Sequence, residues 1–458
     1  MPILTAIHSS AASGLGNPFG VRTVVSDACS FEGVFLLFLY SNVFQFLLPT
    51  LPVDSTIIFF CMSVGLGVWI IYREGIYLRG FILVTSFIPY LLWLLLSATW
   101  SPSRILKLEY LQIMFTLNLW CLIATAMIIS HKRERMLRFV RFVVVLSLVI
   151  AIVGAFIYFR YGTFKFAGWE EGTRAYNQWS RAVVGGAAVL LFLFLRARFA
   201  SPQQVAFGAL LAVCTFFIFV AGSRSALLSL VTPCVLMLAV TLLPKGSEGL
   251  RFTPAAVLLP LVMAGAVVGV AMLVASGYRI ETVARLQAVL AQAENTEMVM
   301  GANRWDYYVE AMRQIIQSPI IGGGVRSFAI IYRQAELSGS HPHNIILEVI
   351  SDTGMIGLLL FLFFIYMAVR PLSMRRLRSD PIMLLVAMLF VSRMTAAMFG
   401  ADLSNQQEVF VFIGILALRP ISARFLSARG YRKPHSLQAS GMRSVRPIPE
   451  VSRRARES

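Results

Sequence analysis

The stretch HPHNIILEVISDTGMIG, residues 341 to 357, sets two histidines and an asparagine against an apolar run that carries two carboxylates. An imidazole near neutral pH suits proton removal. Asn344, Glu348 and Asp352 follow at i, i+4 and i+8, so they lie along one helical face. An N-cap role accounts for Asn344. It does not account for carboxylates one and two turns into a hydrophobic segment, which need partners; outward-facing arginines are the candidates. Gly354 and Gly357 give the same segment a smooth patch for close helix contact.

Several arginines fall where loop charge does not explain them. Arg160, Arg174 and Arg181 bracket RYGTFKFAGWEEGTRAYNQWSR, Arg224 sits in VAGSRSALLSL, Arg304 in GANRWDYYVEAM, Arg326 in GGGVRSF and Arg393 in FVSRMTAAMFGADLSNQQE. A guanidinium offers an anion a bidentate fork that stays charged. Plainer readings stand beside this one. Arg174 and Arg181 can pair with Glu170 and Glu171, Arg304 with Asp306 or Glu310, and Arg393 can snorkel outward. Arg224 has no acidic neighbour in sequence. The three glycines of SPIIGGGVRSF can hold phosphate oxygens on backbone N–H groups, or simply let the chain turn.

These residues must be positioned by membrane spans. The 458 residues are 58% hydrophobic and 14% charged, a composition that a soluble surface cannot carry. Apolar runs predict about twelve spans, near 33–52, 54–72, 80–99, 110–130, 139–159, 182–195, 204–221, 225–243, 254–276, 344–369, 382–399 and 408–418; the sixth and last are short. With the N-terminus inside, the cytoplasmic loops hold fifteen Lys/Arg against four Asp/Glu, and residues 419–458 hold ten against two. The large outer loop 277–343 is balanced, with six of each sign. This positive-inside bias puts both termini in the cytoplasm and the unusual arginines and both histidines outside.

The net charge of +18 is therefore mostly a topology signal, and nucleic acid is not an expected partner. The predicted organisation is a cytoplasmic segment 1–32, spans one to nine over 33–276, a large outer loop 277–343, spans ten to twelve over 344–418 and a disordered basic tail 419–458. No removable signal peptide is expected. The five cysteines show no paired spacing, so neither a disulfide framework nor a zinc site is expected.

The motifs together resemble the bacterial O-antigen ligase and polysaccharide polymerase family. His343 and Asn344, nine residues, then Gly354 and Gly357 match the family's pattern. GSRSALLSL resembles its arginine motif, NRWDYYVEAMRQIIQSPIIGGGVRSF its loop segment, and LLSATWSPSR a feature after the third span. The similarity covers residues 200 to 430 well and the N-terminal half mainly by span layout. It implies an all-α polytopic fold like the C-type membrane glycosyltransferases, in a bacterial inner membrane, acting without a metal or other cofactor at the periplasmic face. The donor would be a glycan on undecaprenyl diphosphate, transferred with inversion to an acceptor hydroxyl. Arg224 and Arg304 would bind the diphosphate, with Arg326 as a further contact. His343 would act as base or positioning group; His341 competes for that role, as does Glu348 if burial raises its pKa. His341 and Asn344 would position glycan; the segment GWEEGTRAYNQWSR departs from the family's corresponding loop, and its Trp169, Tyr176 and Trp179 are read as glycan contacts and its Arg174 as a diphosphate contact beside the resemblance. Among acceptors, a second lipid-linked glycan (a polymerase, with a chain-length regulator as partner) ranks above lipid A–core (a ligase), and a protein acceptor ranks last. Outside the family stands a transporter of the lipid-linked glycan, which needs no base.

Overall fold

A computed structural model describes residues 27–41, 43, 54–161, 172–197, 201–242, 272, 275, 304–336, 340–400 and 402–418, with backbone alone at 161, 172–177, 224, 242 and 304. The expected ninth span, the tail and most of the outer loop before 304 lie outside these residues. Every regular element among them is helical. The chain forms α1 (Phe31–Leu39), α2 (Ser55–Glu74), α3 (Leu78–Ser97), α4 (Leu106–Ile129), α5 (Arg133–Tyr161), α6 (Gly172–Arg196) and α7 (Pro202–Ala221). Then come α8 (Arg224–Leu242), α9 (Arg304–Gln317), α10 (Ser327–Arg333), α11 (Ile345–Val369), α12 (Met374–Ser379), α13 (Pro381–Met398) and α14 (Gln407–Gly414).

Eight of these helices are long and apolar enough to cross a membrane, namely α2 to α7, α11 and α13. The chain is a multi-pass membrane protein. The sixth expected span, read as short, belongs to the 25-residue α6. The apolar stretches of α8 and of α14 with its 3-10 extension are shorter than the eight. The α2 helix turns Ile57, Val68 and Trp69 outward, which water would penalise and lipid tails do not. By contrast α6 and α13 are largely enclosed.

Capping fixes the helix ends. Asp54 accepts from Thr56 N at 2.8 Å to start α2, and Ser201 with Pro202 at the first position starts α7. Gly222, with φ +76°, ends α7 in the left-handed conformation and gives the tight turn into α8. On the core side, Phe87 meets Phe364 at 4.6 Å and Phe410 at 5.3 Å between ring centroids, joining α3, α11 and α14.

Two of the long helices are interrupted. The α4 helix passes through π-helical segments at Met114–Asn118 and Ala124–Ile129, the first of which aims Asn118 Nδ2 at Ser404 O, 3.0 Å away. The α11 helix breaks at Gly354, where φ is +68° and ψ is −170°. The freed backbone is satisfied by residues 319–324: Gly323 N donates to Ser351 O and Gly324 N to Asp352 O, both at 2.9 Å, while Met355 N donates to Pro319 O at 2.9 Å. Trp93 Nε1 donates to Thr353 O at 2.9 Å. Gly354 is thus a backbone break rather than a helix-packing patch. The anion reading of the three glycines also fails here, because Gly322 N donates to Ser318 O, so all three amides are already engaged.

The basic loop before α5 is knitted to carboxylates. Lys132 and Arg135 reach Glu74 at 2.9 and 2.6 Å, Arg138 reaches Glu32 at 3.1 Å and Arg141 reaches Asp27 at 3.0 Å. Arg133 pairs with Asp380, which also caps α13.

Candidate functional site

The N-terminal end of α11 gathers side chains from three loops. Asn344 caps the helix, its Oδ1 accepting from Ile346 N at 3.0 Å and Leu347 N at 3.1 Å. That aligns Glu348 and Asp352 below it, as their spacing predicts. Both are buried, but their partners are not the guanidiniums that the sequence suggests. Glu348 accepts from Leu403 N at 3.1–3.2 Å. Asp352 accepts from Arg326 N at 2.8 Å and from Ser327 Oγ at 3.3 Å. The Arg326 guanidinium goes to Asp402 Oδ2 at 2.9 Å, and Asp402 also accepts from Ser404 Oγ and Asn405 N. Two carboxylates on α11 therefore hold two loops, 326–327 and 402–405, against its broken end.

Burial pushes the Asp402 carboxyl up, yet the Arg326 guanidinium, His341 and the hydrogen bonds from Asn405 N and Ser404 Oγ together outweigh it and hold the group below the ordinary carboxylate range. Arg326 adopts φ +62°, which turns its side chain inward over the Tyr110 ring.

His343 sits at the rim, with φ +55°. Its Nδ1 lies 3.1 Å from Gly400 O. A carbonyl only accepts, so Nδ1 carries the proton and Nε2 is the basic nitrogen. The ring meets the Tyr307 ring edge-on at 5.3 Å and the His341 ring at 4.1 Å. Tyr307 comes from α9, whose amphipathic face packs on Phe328 and Tyr332 of α10.

His341 is 8% exposed, and neither of its ring nitrogens has a hydrogen-bond partner among the described residues. Burial pushes its imidazole down to about 3; Asp402 opposes this, and His343, Arg326 and Arg181 reinforce it. Folding then requires a neutral His341, whereas the unfolded chain protonates it below its ordinary value near 6.5. The unfolded state binds more protons in that window, so stability is expected to fall as pH drops from about 6.5 towards 4. The slope is of order 1 kcal/mol per pH unit at most. Thermal unfolding of wild type and His341→Gln from pH 7.5 to 4.5 checks this; a slope that the substitution leaves unchanged counts against it.

A second buried cation stands deeper. Arg393 does not snorkel: it pairs with Glu408 at 2.7 Å and donates to Arg181 O, linking α13, α14 and α6. Arg181 is buried too, and a β-carbon at Gly400 would stand 3.0 Å from its guanidinium. Trp179 is buried in the core. Trp169 lies outside the described residues, as do the side chains of Arg174, Tyr176, Arg224 and Arg304. Arg224 and Arg304 nevertheless each stand at the start of a helix, α8 and α9. Arg313 pairs with Glu310 at 2.7 Å.

Sequence reasoning missed Asp402, Gly400 and Tyr307. For Asp402 the available signal was an acidic residue at a span end followed by Ser and Asn, a pattern that closes a turn on its own backbone.

The structure is that of an all-helical membrane protein whose outer polar layer is built on one broken span. The family model described as O-antigen ligase matches residues 207–362, so the chain carries an O-antigen ligase family domain from α7 into the second half of α11. That family is one of membrane glycan-transfer enzymes. No curated protein matches the chain.

Proposed function

We propose that this protein is a metal-independent inverting glycosyltransferase of the bacterial inner membrane, moving glycan from undecaprenyl diphosphate to an acceptor sugar hydroxyl at the periplasmic face. The observation that carries the proposal is His343, with Nδ1 committed to Gly400 O and Nε2 basic, at the rim of a buried polar layer. Nε2 takes the proton of the acceptor hydroxyl, and that oxygen attacks the anomeric carbon from the face opposite the lipid diphosphate. The bond from the anomeric carbon to the diphosphate oxygen breaks, and the leaving group keeps the electron pair. Fixed cations stabilise the charge developing there. Arg224 and Arg304 at the two helix starts, with Arg174, fill that role. Arg326 is committed to Asp402, and with Glu348 it holds the loops that frame His343.

Of the two acceptors, we favour a second lipid-linked glycan, which makes the enzyme a repeat-unit polymerase. The balanced outer loop, with six residues of each sign, shows no specialisation for an anionic lipid core. The family description keeps the ligase as the second reading. Purified protein in nanodiscs, given only a lipid-diphosphate-linked repeat unit, is expected to produce a ladder of lengths on a gel. No ladder, but transfer once lipid A–core is added, makes it a ligase. No transfer in either case sinks the enzyme reading in favour of transport.

A further inference from the structure

A second feature lies at the far end of α11 from His343. The start of α3, the end of α11 and α12 enclose a cavity of about 390 Å³, lined by Arg79, Arg370 and Arg376 together with Ile82, Leu83 and Met367. Its three guanidiniums contrast with those of the neighbouring loop before α5, each of which reaches a carboxylate. Among the described residues, none of the three has a carboxylate within ion-pair distance. Arg376 is fixed in place, donating to Pro371 O and Leu418 O at 3.1 Å each, while its buried Nε has no hydrogen-bond partner. The cavity opens beside outward apolar side chains of α3, with Leu78 67% and Phe81 43% exposed. Positive charge above an apolar slot, at the edge of a lipid-facing helix, has the chemistry of one amphiphile only. It needs a phosphate at one end and hydrocarbon at the other.

We infer that this cavity binds an anionic phospholipid of the leaflet next to α12, with its phosphate between Arg79, Arg370 and Arg376 and an acyl chain along Ile82, Leu83 and Met367. The positive-inside pattern makes that leaflet the cytoplasmic one. The C-terminal segment that follows Leu418 does not have the chemistry of an occupant. Residues 419–458 hold ten Lys/Arg against two Glu, so their charge is of the wrong sign. The bound lipid bridges α3, α11 and α12 at the end of the bundle remote from the proposed glycan site, and the inference does not rest on that proposal.

The full chain, purified in a zwitterionic detergent, would be titrated with phosphatidylglycerol or with phosphatidylcholine of the same acyl chains, and retained lipid read by native mass spectrometry. Phosphatidylglycerol is expected to be retained about tenfold or more over phosphatidylcholine. Arg79→Gln with Arg370→Gln is expected to remove most of that preference. Among the described residues neither side chain has a hydrogen-bond or ion-pair partner, so the thermal midpoint without added lipid should stay near wild type. Ile82→Trp, which fills the mouth of the slot and leaves every charge in place, should also weaken retention. Equal retention of both lipids overturns the inference, and so does a preference that survives both the double substitution and Ile82→Trp. Competition by inorganic phosphate alone as effective as that by phosphatidylglycerol would mean a free-anion site and would overturn it too.

Discussion

His343→Ala is expected to lower glycan transfer by about 10²- to 10⁴-fold, the usual contribution of a positioned general base, while binding of the lipid diphosphate persists. The expectation rests on the tautomer. With Nδ1 donating to Gly400 O at 3.1 Å, the ring has one orientation and one basic nitrogen, and it holds both before any substrate arrives. Neither competitor for the role has that arrangement. Glu348 is spent on Leu403 N, and His341 is enclosed, with its imidazole depressed to about 3 by burial above all. The substitution should not unfold the protein. His343 lies half-buried at the rim, and the helix below it is capped by Asn344 rather than by the histidine. The measurement is product per unit time in nanodiscs, alongside binding of the lipid-linked donor. A variant that keeps more than a tenth of wild-type turnover makes His343 a helix-end residue and nothing more.

Gly354→Ala is expected to cost about 4 kcal/mol or more and to leave little folded protein in detergent. A φ of +68° with ψ −170° belongs to a region that essentially only glycine occupies, and entering it costs a side-chain-bearing residue about 1–3 kcal/mol. The added β-carbon would also stand 2.5 Å from Gly322 N and closer still to Ile320 O. Ile320 O already accepts from Ile356 N of the broken helix and Gly322 N already donates to Ser318 O, so neither has a free direction in which to yield. Relief by straightening α11 is closed as well. A continuous helix would leave the amides of Gly323 and Gly324 without Ser351 O and Asp352 O, and Gly324 is buried. Gly65→Ala is the matched control. A β-carbon there meets nothing within 4 Å, and alanine is the better helix former, so stability should hold or rise slightly. Size-exclusion profiles and thermal midpoints of both variants decide the matter. A Gly354→Ala midpoint within two degrees of wild type would show that the break is not required.

Much of this was legible in the residues. The apolar runs located the helices because a span must be long and hydrophobic whatever it packs against. The pattern HN, nine residues, GxxG located the candidate site because its parts are close together in the chain. Even there, spacing revealed the face shared by Glu348 and Asp352 but not their partners. Those partners come from 55 residues downstream for Glu348, and from 25 and 26 residues upstream for Asp352. The three glycines were ambiguous for a similar reason. A free glycine turn and one paired to a broken helix have the same sequence; only the position of the second strand of backbone tells them apart.

The sequence by itself determined the class of protein, the places of eight spans and the histidine to examine first, because hydrophobic length and local capping are properties of contiguous residues. The tertiary structure alone decided which charges are committed. It assigned Arg326 to Asp402 and Arg393 to Glu408, and it left Arg79, Arg370 and Arg376 facing a cavity instead of a carboxylate. A buried guanidinium must find an anion wherever the fold brings one, and sequence distance says nothing about where that will be.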